Sequence, residues 1–578
     1  MAPWYATAPS YNGVTMVRPL LVLLSVIALT ASPASQSPAF RLVESSIPEM
    51  QAAMANGRLT SRELITQYLV RMAIYEDRLN AALYVNPRAL EEADALDLER
   101  AQGRIRGPLH GIPVALKDNI HTTHLPTSGG ALALAGYVPP YEATLTRHLR
   151  EAGAIIIAKT GLTELANWVA GNPTAMPGNY NAVGGFAFNP YDPRRDPRDS
   201  SDGRPALGTG GSSSGIGTAA NLWAASVGTD TGGSVISPSN ANMLVGIRPT
   251  IARISRYGVI PITLDHDTAG PMTRSVIDAA IMMGALEGGA PDPRDPATRT
   301  CTPPAGRDYT PFLRADALKS ARIGIPRAFY YDAITLAGED RTRGGLNAEQ
   351  AKVMAEAIAV LRQHGAVIVD PANVPSLATT VGDDNFAAWG FCSGAEDAKG
   401  KDDGCSINFK YGMKRDFDVW LRSLGPSAPI SSLTALREWN LAHARQGAIR
   451  YGQSRLDISD EMDLEADRAR NDRDQQKDRR LSRDQGIDAV LREHKLDAIL
   501  TPGSSGAGLA ARAGYPIIVV PFGVVPNRPA TDFPPGFNAR PAPYGVAFTG
   551  AACSEPRLIA LAYAFEQATK RRVPPPLD

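Results

Sequence analysis

The chain has 578 residues, 59 basic and 59 acidic side chains, 44% hydrophobic and 20% charged residues. Zero formal net charge removes the electrostatic footprint of a nucleic-acid partner, while the length suits a large α/β enzyme that buries about three quarters of its unfolded surface. Four cysteines in so long a chain exclude a disulfide scaffold.

Arg18 precedes an apolar run from Leu20 to Leu29, and small-residue sites follow at Ser32-Pro33-Ala34 and Ser37-Pro38-Ala39. That order predicts a signal peptide within residues 1–39, with Met16 the more natural start and an extension upstream of it. The run is half of the about 20 residues needed to span a bilayer, so cleavage is expected without stable membrane insertion afterwards. Residues 40–578 are then the mature protein, periplasmic or secreted.

Thr60 followed by Glu63 predicts a capping box, and Leu64, Ile65, Tyr68, Leu69 and Met72 recur at helical spacing behind it. A helix over Ala143 to Ala152 leads into the short apolar strand Ala154 to Ala158. The same order returns at Ala348 to His364, closed by Gly365 and followed by Ala366 to Val369. Apolar strands after helices predict an α/β fold with a central sheet covered on both faces.

Residues 190–207 are dense in Pro, Asp and Arg and predict a surface excursion. From Gly208 to Thr250 the chain sets two Gly/Ser-rich turns around a small-residue segment. The second turn, Gly228 to Ser234, exposes successive backbone N–H groups beside a serine hydroxyl, an arrangement suited to holding an oxyanion during acyl transfer. No Walker-type GK[ST] ends either turn.

Cys392 and Cys405 flank a Gly/Asp/Lys loop and are candidates for pairing in an oxidising compartment. Cys301 and Cys553 read as small buried thiols, with no metal-ligand spacing around them. The charged run Asp457 to Arg483 reads as a solvated helix without chemistry.

These residues resemble the amidase signature family, and most closely its peptide-amidase branch. The resemblance is carried by Gly107-Pro-Leu-His-Gly-Ile-Pro-Val-Ala-Leu-Lys-Asp-Asn-Ile120, Ala158-Lys-Thr160, Gly210-Gly-Ser-Ser-Ser-Gly215, Gly228-Thr-Asp-Thr-Gly-Gly-Ser234 and Asp267-Thr-Ala-Gly-Pro271. It extends through Ala513-Gly-Tyr-Pro516 to Phe565-Glu-Gln-Ala-Thr569. The resemblance implies a single large α/β fold with a mostly mixed sheet wrapped by helices, and a Ser-Ser-Lys hydrolase without metal or organic cofactor. Ser234 is implied as nucleophile, Ser212 as a bridging serine after a cis peptide, and Lys117 as base. The amides of Thr231, Gly232, Gly233 and Ser234 are the implied oxyanion hole. A small-molecule or peptide amide is the implied substrate; oligomeric state is not legible.

Physical chemistry sets a demand on that scheme. A lysine of ordinary pKa is neutral in about one molecule in a thousand near pH 7.4, so a lysine base must be buried, lowering its pKa by about 3, worth about 4 kcal/mol. The apolar stretch Ile112 to Leu116 is suited to carrying Lys117 inward.

Two departures from the family pattern stand out. The separation of 22 positions from Ser212 to Ser234 (234 − 212) is short for the family, which leaves Ser213 as the alternative bridge. Ile236 stands where many relatives have arginine, which removes a cation that would select an acidic substrate. The segments Asn172 to Phe188 and Pro371 to Phe409 are expected to shape the substrate pocket. Two other readings fit parts of the pattern. Gly211 to Gly215 formally matches the nucleophile elbow of an α/β-hydrolase esterase, with Ser213 at its centre and His266 or His443 downstream, but Asp202 to Thr209 is not the apolar strand an elbow requires. A non-catalytic exported solute-binding protein needs backbone-rich loops but has no need of a buried amine.

Overall fold

Strands that read as unbroken apolar runs are buried on both faces, and every residue of Pro113–Lys117 and Ile155–Thr160 is buried. A computed structural model describes residues 40–399 and 401–577. The expected signal peptide lies outside the described residues.

Among the described residues, eleven strands form one mixed sheet. We number them in chain order: β1 Ala82–Val85, β2 Pro113–Lys117, β3 Ile155–Thr160, β4 Ala225–Asp230, β5 Val245–Arg248, β6 Thr268–Thr273, β7 Arg322–Gly324, β8 Val367–Val369, β9 Ala498–Pro502, β10 Ile517–Val525 and β11 Ala542–Thr549. The spatial order is β1-β3-β2-β4-β6-β5-β10-β11-β9-β7-β8. Strands β3, β2 and β4 run parallel, so their C-terminal ends meet at one edge. Strand β6 then pairs antiparallel with both β4 and β5.

The helix predicted behind Thr60 spans Ser61–Leu79, and the capping box with Glu63 is formed. A helix that the sequence reading did not separate, Ile47–Ala55, precedes it with its own capping box on Ser46. The helix–strand units appear as Thr144–Glu151 into β3 and Ala348–Gln363 into β8. No helix of the described residues is long and apolar enough to cross a membrane.

Three expectations need correction. Cys301 and Cys553 are not thiols; they form a disulfide with Cα atoms 5.5 Å apart, beside the bond between Cys392 and Cys405 that was one of two open outcomes. The charged run is not one solvated helix. It is broken into Ser454–Asp460 and Arg468–Arg479, and the second helix buries Asn471, Asp474 and Asp478. Asp478 accepts hydrogen bonds from Trp389 Nε1 and Ser406 Oγ at 2.9 Å each, and Asp474 accepts from the Ile407 amide at 3.0 Å. Its buried stripe is polar, and a search for apolar periodicity passes over it. The excursion over residues 190–207 is not wholly superficial either, since Tyr191 and Asp192 are buried.

Candidate active site

Lys117 is the last residue of β2, and parallel pairing places Leu116 beside Val227 of β4. The lysine is only 1% exposed. Its Nζ donates to the Thr229 carbonyl at 3.1 Å and to Thr229 Oγ1 at 2.9 Å, and Asn119 Nδ2 donates to the same hydroxyl. Burial lowers the Lys117 pKa to about 8, against the opposing pull of the Asp230 and Asp267 carboxylates. About one molecule in five then carries a neutral amine at pH 7.4. Desolvation thus meets most of the demand placed on a lysine base.

The first Gly/Ser turn docks along the segment that follows β3. Ser213 N donates to Gly161 O at 2.9 Å, and Thr163 N donates to Gly211 O at 3.1 Å. Gly210 has φ +75°, and a Cβ there would stand 2.4 Å from Pro238 Cα, so only glycine permits this backbone approach. Ser212 then stands, extended, at the N-cap position of the helix Ser213–Ala219 without a side-chain cap. Its Oγ is fully buried and has no hydrogen-bond partner among the described residues. The implied cis peptide before Ser212 is not found; the cis bonds among the described residues are Asn172–Pro173 and Asp370–Pro371. Gly210 and Gly211, both at positive φ, make the chain reversal instead.

Ser213, the alternative bridge and the elbow nucleophile of the esterase reading, is turned away. Its hydroxyl pairs with the Asn179 carboxamide at 3.0 and 3.3 Å. His266 Nδ1 faces the Ala511 carbonyl, and His443 stacks on Trp439. Neither histidine contacts Ser213, so the geometry an elbow needs is absent among the described residues.

The second turn is built around Asp230, the last residue of β4. Its carboxylate accepts from the Gly233 amide at 2.7 Å and the Val235 amide at 2.8 Å. Gly233 is therefore removed from the set of oxyanion donors: its N–H is spent in closing the turn. Thr231, Gly232 and Ser234 retain amides without an acceptor among the described residues. Arg248, fully buried at the end of β5, donates to the Asp230 carbonyl at 2.8 Å and to its carboxylate at 3.1 Å. Thr231 Oγ1 donates to Asp267, whose other oxygen accepts from the Ile262 and Thr263 amides. Burial pushes the Asp267 pKa up to about 7.

Ser234 is half-buried and lines, with Lys117, a cavity of about 300 Å³. Thr163, Ala166, Asn167, Arg204, Gly210 and Gly211 form much of its wall. Of the two segments expected to shape the pocket, the first supplies Pro177 and Gly178, and the second is not among the lining residues. The structure thus brings Lys117, Ser234 and the Gly/Ser turns together. Sequence reasoning missed Thr229, Asp230 and Arg248 as supports, although an arginine ending the otherwise apolar Val245-Gly-Ile-Arg248 was a visible signal. Among the described residues, no cluster of three or more His, Cys, Asp or Glu side chains is placed to hold a metal ion.

Comparison with known proteins identifies the family and the fold. The family model described as Amidase matches residues 63–559. A protein of Arabidopsis thaliana named as a probable amidase is 33% identical over 569 residues, covering 96% of each chain. Native peptide amidase from Stenotrophomonas maltophilia superposes with a TM-score of 0.74 at 34% identity, over 93% of this chain and 99% of that one. An amidase family protein from Bacillus anthracis superposes with the same TM-score of 0.74 at 28% identity, over 92% of each chain. With the family matched over this span and a buried lysine sharing a cavity with Ser234, the chain belongs to the amidase signature family and is an amidase hydrolase.

Proposed function

We propose that the protein is an exported amidase that hydrolyses neutral carboxamides through an acyl-enzyme on Ser234. The observation that carries this reading is Lys117, buried, shifted toward neutrality and lining one cavity with Ser234. Ser234 Oγ attacks the substrate carbonyl, and its proton passes through Ser212 to the neutral amine of Lys117. Ser212 suits this transfer because its buried hydroxyl has no other partner to release. The oxyanion accepts from the amides of Thr231, Gly232 and Ser234. As the C–N bond breaks, the leaving nitrogen takes the proton back and departs as ammonia or an amine. Water then adds to the acyl-enzyme by the same route, releasing the carboxylate and restoring Ser234.

A peptide amide is the favoured substrate, supported by the likeness to peptide amidase and by a wall rich in glycine backbone. Export is supported by the leader-like residues 1–39 and by the pairing of all four cysteines, since disulfides persist in oxidising compartments. Ammonia release from peptide, aryl and aliphatic amides, with Ser234→Ala and Lys117→Ala beside the wild type and intact mass to trap the acyl-enzyme, tests the mechanism. Turnover that survives either substitution refutes it. Cell fractionation with N-terminal sequencing of the mature chain tests export.

A further inference from the structure

Two side chains on the cavity wall have hydrogen-bonding capacity that the fold does not use. Leu165, Ala166 and Asn167 have φ of +44°, +56° and +72°, three successive residues other than glycine in the left-handed region. L-residues avoid this region, and a run of three persists only where surrounding contacts enforce it. Here Leu165 N donates to Gly129 O at 2.8 Å, and Arg455, lying over the Trp168 ring, donates to the Asn167 carbonyl. The turn leaves Asn167 exposed on the cavity wall, its carboxamide without a partner among the described residues.

Arg204 reaches the same cavity from the Pro/Asp/Arg excursion. Its Nε and Nη2 grip the Asp202 carboxylate at 2.8 and 2.7 Å, and Tyr451 Oη donates to that carboxylate as well. The fork is therefore fixed and its charge neutralised, while Nη1 has no acceptor among the described residues. A guanidinium already paired with a carboxylate gains little from a second anion and still donates well to a neutral carbonyl.

We propose that Asn167 and Arg204 form a subsite that reads a peptide group on the acyl side of the scissile amide, Arg204 Nη1 donating to its carbonyl oxygen and the Asn167 carboxamide accepting from its N–H. The inference rests on the amidase reading and narrows it to N-acylated amino-acid amides.

The test compares N-acetyl-L-leucinamide with isocaproamide, which keeps the same side chain and scissile amide but lacks the peptide group. Wild type is expected to favour the acetylated amide in kcat/KM. In Asn167→Gly, which keeps the left-handed backbone, and in Arg204→Met, which keeps most of the apolar stem, that preference should fall about tenfold each, chiefly through KM. An unchanged ratio in both variants overturns the subsite, whatever the absolute rates do, because a merely structural wall would depress both amides together. A wild type inactive on both amides refutes the amidase reading instead.

Discussion

Arg248 and Asp230 form a fully buried ion pair, 3.1 Å apart, at the root of the turn that carries Ser234. The pair lies at the junction of two strands that are not neighbours: Asp230 ends β4, Arg248 ends β5, and β6 runs between them. Arg248 also donates to the His266 carbonyl at 3.0 Å, so one guanidinium ties the turn before Ser234 to the start of β6. A carboxylate that must hold two turn amides away from water needs such a partner, because an unpaired buried charge is costly.

Arg248→Met should therefore destabilise the fold by about 3–5 kcal/mol, the usual cost of breaking a buried pair from one side. Replacing both partners, as Asp230→Asn with Arg248→Met, should recover part of that loss. Urea titration of the two variants beside wild type checks this. A loss under about 1 kcal/mol in Arg248→Met would mean that the carboxylate finds another partner.

The rate should follow the protonation of Lys117. Burial lowers this pKa to about 8, and only the neutral amine accepts a proton, so kcat/KM should rise with pH through about 8 and then level off. Lys117→Arg keeps the charge and never deprotonates, so it should lose at least about a hundredfold in rate, as should Lys117→Ala. A profile with its optimum near pH 5 would exclude a lysine base.

Much of the candidate site was legible because its residues sit in short, ordered segments. Lys117 follows an apolar strand, and Ser212 and Ser234 follow glycines that only tight turns require. The supports were harder to read, since Asp230, Arg248 and Asp267 acquire their roles from strands that meet only in the folded sheet. Gly233 was misassigned for the same reason: whether an amide points at substrate or closes its own turn depends on where the Asp230 carboxylate sits. The Cys301–Cys553 bond spans 252 residues, a separation at which sequence offers no pairing signal. In the fold, sequence reasoning found the elements with apolar periodicity; it read a helix in the charged run but missed the buried face of Arg468–Arg479, which is made of Asn471, Asp474 and Asp478.

Both disulfides should be present in the purified protein. Thiol titration in denaturant should find no free thiol before reduction and four after it. The Cys392–Cys405 bond closes a separation of 13 residues, for which chain entropy gives about 3 kcal/mol. Cys392→Ala with Cys405→Ala should lose roughly that in urea titration. Free thiols in the unreduced protein would contradict the pairing.

In the proposed mechanism, Thr231 and Asp267 link the oxyanion donors to the base. Thr231→Val keeps the branched shape but deletes the hydroxyl that holds this residue to Asp267, and with it the fixed direction of the Thr231 amide. A donor that acts on the developing oxyanion affects the transition state more than substrate binding, so kcat should fall about tenfold while KM changes little. Asp267→Asn separates geometry from charge. Its carbonyl oxygen still accepts from the Ile262 and Thr263 amides, and Thr231 Oγ1 turns to accept from the new N–H. What disappears is a negative charge that favours protonated Lys117. The Lys117 pKa must then fall, and the rising limb of the pH–rate profile should move to lower pH, giving Asp267→Asn a larger fraction of its plateau rate at pH 7 than wild type. A limb that stays in place would show that Asp267 carries its proton throughout the range in which the base titrates, leaving Thr231 orientation as its sole contribution.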